Sequence, residues 1–197
     1  MRVLFIAMLV ISSSVAFGAY KIGEEVADFT LKSVDGATVS LHDYLSSRGV
    51  VVIFTSNNCP QALQYEDRVL ELGRKLSMLG WKLIAINSCS TADGPDETLE
   101  GMVKRAEERT YEFPYLRDEG QTVAKAFGAI YVPAAYVLKS TGSTFELKYM
   151  GNIDDAPDPK QKIHNKFVEN TIGALNAGVK PDTPITKVNG CTVKMRH

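Results

Sequence analysis

The chain has little of what marks several common classes of protein. Its formal net charge is −1, so it lacks the basic excess that attracts nucleic acid or an anionic membrane surface. Three histidines occur in the chain: His42, His164 and His197. None of them has the spacing of a metal ligand next to a cysteine. The sequence therefore predicts no nucleic-acid partner, no metal and no other cofactor.

Cysteine is equally scarce. The whole chain contains three, namely Cys59, Cys89 and Cys191. An odd number leaves at least one thiol free or paired between molecules, and it argues against a disulfide-rich scaffold. The 197 residues are enough to bury one hydrophobic core. We therefore expect the core to supply stability and individual cysteines to supply chemistry.

One apolar run near the N-terminus is too short to span a bilayer. It covers residues 3–11, whereas a membrane-spanning helix needs about 20 apolar residues. Arg2 precedes the run, and Ala16-Phe17-Gly18 fits a small-x-small cleavage site. The pattern predicts a signal peptide over residues 1–19, and hence export to the periplasm or the extracellular space. The mature form would have no membrane segment.

The remaining chain shows the pattern of a single α/β domain over residues 20–178, followed by a tail over 179–197. Residues 27–32 and 38–41 alternate on either side of a turn, which is typical of a β-hairpin. Further strands are predicted at 49–55, 81–87, 134–139 and 145–153, with a short segment at 113–116. Helices are predicted at 61–79, 96–109, 121–127 and 159–177.

This order of elements predicts the arrangement of the sheet. Strand–helix–strand units imply parallel strands with right-handed crossovers. The two late strands, with only a turn between them, imply an antiparallel edge. We therefore predict a thioredoxin-like fold, which is a mixed central sheet flanked by helices, here with an N-terminal β-hairpin.

Cys59 lies between a predicted buried strand and the start of a predicted helix, where Pro60 fits the first turn. Free backbone N–H groups and the helix dipole favour an anion at that place, so a thiolate would be stabilised. The alternative is a buried cysteine that only packs. Val132-Pro133, directly before another strand, is a candidate cis peptide bond or an ordinary strand-opening proline.

Several segments together resemble the thioredoxin-like redoxins of the alkyl hydroperoxide reductase and thiol-specific antioxidant group, in particular a peroxiredoxin-like subgroup. They are ADFTLKSVDGATVSLHDY, VVVIFTSNNCP, YEDR, FPYLRDEGQTVAKAFGA, YVPAAYVL, YMGNIDD and GCTVK. The resemblance implies that Pro133 lies beside the reactive cysteine. It also implies that Val132 offers its backbone to an extended substrate and shapes the site.

The chain departs from that subgroup at one position. Where the subgroup usually has Cys-x-x-Cys, this chain has Ser56-Asn57-Asn58-Cys59, so the retained cysteine corresponds to the second of the pair. Ser-x-x-Cys instead resembles peroxiredoxins, in which a hydroxyl hydrogen-bonds near the reactive thiol. Those proteins carry a proline where this chain has Val52, and an arginine that steadies the thiolate. Arg117 and Arg68 are candidates for that arginine, although a surface position is the alternative for each.

Two other cysteines are candidates for resolving an oxidised Cys59. Cys89 follows the next buried strand, and the carboxyl ends of parallel strands meet at one edge of the sheet. It could equally be a small buried residue. Cys191 lies in the tail and could take part in catalysis, in a structural disulfide or in an intermolecular one.

We hypothesise an exported thiol-dependent oxidoreductase of antioxidant type that reduces peroxides through Cys59. Ser56 would assist, and an external thiol would act as reductant. A second hypothesis is monothiol disulfide exchange with partner proteins. A third is a binding module of the same fold that has lost its dithiol and its catalysis.

Overall fold

The computed structural model describes residues 19–158 and 160–196. The predicted signal peptide lies outside these ranges, apart from its last residue. The strands are β1 (Glu25–Val26), β2 (Thr30–Ser33), β3 (Thr38–Ser40), β4 (Gly49–Thr55), β5 (Lys82–Asn87), β6 (Tyr115–Arg117), β7 (Tyr131–Val132), β8 (Ala134–Ser140), β9 (Phe145–Gly151) and β10 (Cys191–Thr192). The α-helices are α1 (Pro60–Met78), α2 (Leu99–Arg109), α3 (Thr122–Phe127) and α4 (Phe167–Asn176). No helix in this part of the chain is long and apolar enough to cross a membrane.

Eight strands form one mixed sheet in the order β1-β9-β8-β4-β5-β6-β2-β3. Strand β4 pairs in parallel with β5, and β5 pairs in parallel with β6. Strand β8 runs antiparallel to both β4 and β9. The predicted hairpin, β2 and β3, extends the sheet beyond β6. The predicted thioredoxin-like fold is therefore confirmed.

Strand β4 is buried on both faces of the sheet, and its side chains supply two cores. Val50, Val52 and Phe54 face the core that contains Phe127 of α3. Val51 and Ile53 face the core that the apolar sides of α1 and α4 cover. This arrangement explains why the strand is a continuous β-branched run rather than an alternating one.

The last helix is shorter than its apolar pattern predicts. The sequence suggests 159–177, whereas α4 begins at Phe167. The backbone N–H of Asp155 donates to Asn165, and the Asp155 carboxylate accepts from the N–H of His164 and the side chain of Asn165. These bonds hold residues 164 and 165 against the loop and delay the helix.

The tail after α4 packs against the domain along two strands. Thr186 donates its N–H to the carbonyl of Met150 and its hydroxyl accepts from Asn152, beside β9. Further along, β10 pairs antiparallel with β7, so that Cys191 lies opposite Val132. The tail thereby returns to the end of the sheet where α1 begins.

Candidate functional site

Cys59 is the N-cap residue of α1, at the end of the loop that follows β4. The side chain is almost completely buried, with 3% of the residue exposed. It forms a disulfide with Cys191, and the two Cα atoms lie 5.9 Å apart. That separation is the usual one for a disulfide, so the tail brings Cys191 to Cys59 without displacing the backbone. Of the two candidate partners, the structure pairs Cys191 with Cys59 and leaves Cys89 a free thiol.

The peptide bond between Val132 and Pro133 is cis, and it lies directly beside the disulfide. The Cys59 Sγ atom is 3.4 Å from the Val132 carbonyl oxygen. The structure therefore brings Val132 and Cys59 together, and the role of Val132 toward a substrate stays a prediction. However, the backbone edge at Val132 already pairs with Cys191 of the tail.

Gln61, in the first turn of α1, is a site residue that the sequence reasoning missed. Its Oε1 atom lies 3.5 Å from Cys59 Sγ and 3.0 Å from Cys191 Sγ. In the reduced protein this oxygen is placed to accept a hydrogen bond from either thiol. Its only signal in the sequence is its position two residues after Cys59, which says nothing about where the side chain points.

Ser56 does not bond to the Cys59 sulfur. Its Oγ atom accepts hydrogen bonds from the backbone N–H groups of Asn58 and Cys59, at 3.1 and 3.0 Å. The hydroxyl itself donates to Glu97 at 2.5 Å. In the disulfide form Ser56 therefore shapes the turn that leads into α1, and its role beside a reduced Cys59 stays a prediction. The residue three positions after Cys59 is Ala62, so the first turn of α1 contains no second cysteine that could form a Cys-x-x-Cys pair with Cys59.

Glu97 is a fully buried carboxylate that sequence reasoning also missed. Its oxygens accept from Ser56 Oγ, from Asn58 N at 3.0 Å and from the Asn87 side chain at 2.6 Å. A fourth, longer bond comes from the N–H of Asn57 at 3.4 Å. A buried carboxylate must have such partners, because desolvation otherwise makes the charge too costly. Glu97 thus anchors the loop before Cys59 to the end of β5.

Cys89 lies just beyond β5 and is buried. Burial, together with the neighbouring charge of Glu97, raises the pKa of its thiol to about 11. A thiol with so high a pKa is protonated at neutral pH and is a poor nucleophile. These properties suit a small buried residue better than a resolving cysteine.

The two candidate arginines occupy other places than expected. Arg117 is buried rather than on the surface, and its Nη1 lies 3.4 Å from the Asn87 side-chain oxygen. Its positive charge lowers the pKa of Cys89. Arg68 is held by Asp154, with Nη1 2.9 Å from a carboxylate oxygen. Among the described contacts, neither arginine bonds to Cys59.

The fold and the site together define a class of protein. A cysteine caps a helix at the end of a central strand, a cis-proline lies beside it, and a second cysteine closes a disulfide with it. This combination on a thioredoxin-like sheet is that of a redoxin. The chain belongs to the AhpC/TSA family, whose model matches residues 22–146.

Individual relatives are similar over most of their length. The thiol-disulfide oxidoreductase ResA of Bacillus cereus is 26% identical over 157 residues, which cover 74% of this chain and 86% of ResA. An uncharacterized conserved protein from Geobacillus kaustophilus is 30% identical, with a TM-score of 0.82 over 89% of this chain and 93% of that one. A hypothetical protein from Sinorhizobium meliloti is 29% identical, with a TM-score of 0.80 over 91% and 97%.

Proposed function

We propose that this protein is a thiol-dependent oxidoreductase in which Cys59 and Cys191 form the redox couple. The observation that supports this most is their disulfide at the N-terminus of α1, beside the cis-proline. Reduction would leave Cys59 at a helix N-terminus, where a thiolate is favoured by the dipole and by free N–H groups. Cys59 is then the nucleophile and Cys191 the resolving thiol.

Peroxide is the first oxidant we propose. The Cys59 thiolate attacks one peroxide oxygen, the O–O bond breaks, and the second oxygen leaves as an alcohol or water after taking a proton. Cys59 becomes a sulfenic acid. The Cys191 thiol then attacks that sulfur, the S–O bond breaks, and water leaves as the disulfide forms. Two external thiols then reduce the Cys59–Cys191 disulfide to two thiols and are themselves oxidised to a disulfide.

Disulfide exchange is the second candidate, and the name of the ResA relative favours it. Here the Cys59 thiolate attacks a substrate disulfide and releases one substrate thiolate, which leaves a mixed disulfide. Cys191 attacks Cys59 Sγ and releases the second substrate thiol. The two electrons pass from the protein dithiol to the substrate, and the protein ends in the same disulfide form.

A single-turnover experiment tests the couple and separates the two candidates. The reduced protein is mixed with hydrogen peroxide or with a small disulfide, and the Cys59–Cys191 disulfide is followed by mass spectrometry. We expect Cys59→Ser to abolish the reaction and Cys191→Ser to stop it at sulfenic acid or mixed disulfide. Cys89→Ala is the matched control and should react like the wild type.

The outcomes are distinct. If hydrogen peroxide oxidises the reduced protein faster than the small disulfide does, the result supports the antioxidant role. The opposite order of rates supports disulfide exchange. If reduced Cys59 reacts with neither oxidant faster than a free cysteine does, the protein is a non-catalytic binding module and the proposal is wrong.

We also propose that the protein is exported with cleavage after residue 19, since residues 2–18 have the signal pattern and a disulfide persists in an oxidising compartment. Expression in a bacterial host, followed by fractionation and N-terminal sequencing, tests this. An intact N-terminus in the cytosolic fraction would contradict it.

A further inference from the structure

We infer that the substrate of the Cys59–Cys191 couple is a low-molecular-weight oxidant, because the chain's own tail occupies the edge where an extended polypeptide would bind. This inference rests on the proposed function and specifies its substrate class. It concerns β7, the two-residue strand before the cis-proline, and the tail segment 189–196 that lies on it.

The tail occupies the backbone hydrogen-bonding groups along the edge of β7. Strand β10 pairs antiparallel with β7, with Cys191 opposite Val132 and Thr192 opposite Tyr131. The N–H of Val193 donates to the Ile130 carbonyl at 2.9 Å. An extended peptide recognised by strand addition needs these same groups. One edge cannot pair with two strands on the same side, so the seated tail excludes such a peptide.

Close packing of the tail leaves no space for a second strand. Gly190 lies so near Val132 that a Cβ atom built on it would be 2.1 Å from the Val132 carbonyl oxygen. Val193 is buried, with 4% exposed, in the same core cluster as Val132 and Phe127. The tail segment is therefore packed into the domain core through Val193.

A buried glutamine holds the tail independently of the disulfide. Gln121 is 1% exposed, and its Nε2 atom donates to the carbonyls of Ser88 and Lys194, at 2.8 and 2.9 Å. Its Oε1 accepts from the N–H of Arg196 at 2.6 Å. Because none of these bonds involves sulfur, they persist when the disulfide is reduced. The tail then remains seated, Cys191 stays beside Cys59, and only a small oxidant has room to reach the pair.

Two probes with the same reactive bond test this inference. One is cysteine joined by a disulfide to 5-thio-2-nitrobenzoate, and the other is a ten-residue extended peptide whose cysteine carries the same group. Reduced Cys59 attacks the cysteine sulfur of either probe, which releases the coloured thionitrobenzoate. Cys191 then closes the protein disulfide and releases the cysteine or the peptide thiol. The reactions are run in a Cys89→Ala background, and Cys59→Ser supplies the blank.

We expect the free-cysteine probe to react at least about tenfold faster than the peptide probe with this reduced protein. Val193→Pro removes the N–H that bonds to Ile130, so it should loosen the tail and bring the ratio of the two rates near one. Thr192→Ala, at an exposed position of the same strand, is the control and should keep the tenfold ratio. The ratio cancels any change in the intrinsic reactivity of Cys59.

Amide hydrogen exchange supplies a second measurement that needs no variant. In the reduced protein the Val193 amide should stay protected. Equal rates for the two probes with an intact tail, or rapid exchange at Val193 after reduction, would overturn the inference while leaving the redox couple intact. If neither probe nor hydrogen peroxide oxidises Cys59, the proposed function fails first, and the inference fails with it. Oxidation by hydrogen peroxide alone excludes disulfide exchange and leaves a small oxidant as the substrate.

Discussion

Glu97 and Cys89 are two buried groups near the loop that leads into α1, and they have different roles. Glu97 accepts hydrogen bonds from three residues of or beside that loop and from Asn87. Cys89 stays protonated because burial disfavours its charged form. The position of Cys59 therefore depends on a carboxylate 38 residues further along the chain, and the neighbouring thiol does not compete with it for reaction.

Replacing Glu97 by Gln tests the anchoring role. One oxygen of Gln can still accept from Ser56 and Asn58, but the new amide group then meets Asn87 Nδ2, which is also a donor. We expect a loss of about 1–3 kcal/mol in the free energy of unfolding, measured by urea titration. Glu100→Gln, at an exposed position of α2, is the control and should have little effect. Equal stability of the two variants would show that Glu97 is not an anchor.

Alkylation of Cys89 tests its high pKa. In the oxidised protein the other two cysteines are blocked by their disulfide, so iodoacetamide reports on Cys89 alone. Because the thiolate is the reacting form, the rate should keep rising as the pH approaches about 11. The same protein unfolded in urea should instead level off near pH 9, as an ordinary thiol does. A plateau at pH 8–9 in the folded protein would contradict the assigned environment.

Strands β7 and β10 are only two residues each, and their pairing brings Cys191 to Cys59. The pairing depends on a close approach that only glycine permits at position 190. The tail supplies the partner cysteine, whereas in α1 the residue three positions beyond Cys59 is alanine. The disulfide is therefore formed between two elements far apart in the chain.

Gly190→Val tests the contribution of this pairing to the redox equilibrium. A Cβ atom at that position would lie 2.1 Å from the Val132 carbonyl oxygen, so the tail must shift. We expect the equilibrium constant for closing the Cys59–Cys191 disulfide to fall by at least about tenfold, as measured by titration against reduced and oxidised glutathione. A shift of the tail that costs about 1.4 kcal/mol is enough for this change. Gly173→Ala is the matched control, because a Cβ there meets nothing within 4 Å. An unchanged constant in Gly190→Val would show that the pairing contributes nothing.

For the whole molecule, the disulfide joins residues 132 positions apart and encloses most of the domain. Such a cross-link restricts the unfolded chain far more than the folded one. The expected contribution to stability is about 2–4 kcal/mol. The redox state of the couple and the stability of the domain are therefore linked.

Reduction should accordingly lower the midpoint of denaturant unfolding. We expect the Cys191→Ser variant to lose the same free energy of unfolding, about 2–4 kcal/mol, as the reduced wild type. Both are measured by guanidinium titration in a Cys89→Ala background, which prevents exchange with the free thiol. Coincident unfolding curves for the oxidised and reduced forms would mean that the disulfide adds nothing to the free energy of unfolding.

Local pattern was sufficient for the elements β4 and α1 and for the position of Cys59 at the start of α1. Three local signals mark these elements: the β-branched run of β4, Pro60 at the start of α1 and Gly80 after its end. They were enough to place the strand, the helix and Cys59 between them to within a residue or two. The start of α4 was misplaced because Asp155, outside the helix, controls it.

The site around Cys59 depended on contacts between distant parts of the chain. Glu97 reaches Ser56 across 41 residues, and Cys191 reaches Cys59 across 132. Spacing within a sequence carries no information about such distances, so the choice between Cys89 and Cys191 stayed open. Packing of the tail against β7 decided it, because that packing places one sulfur at the N-terminus of α1 and leaves the other buried beside Glu97.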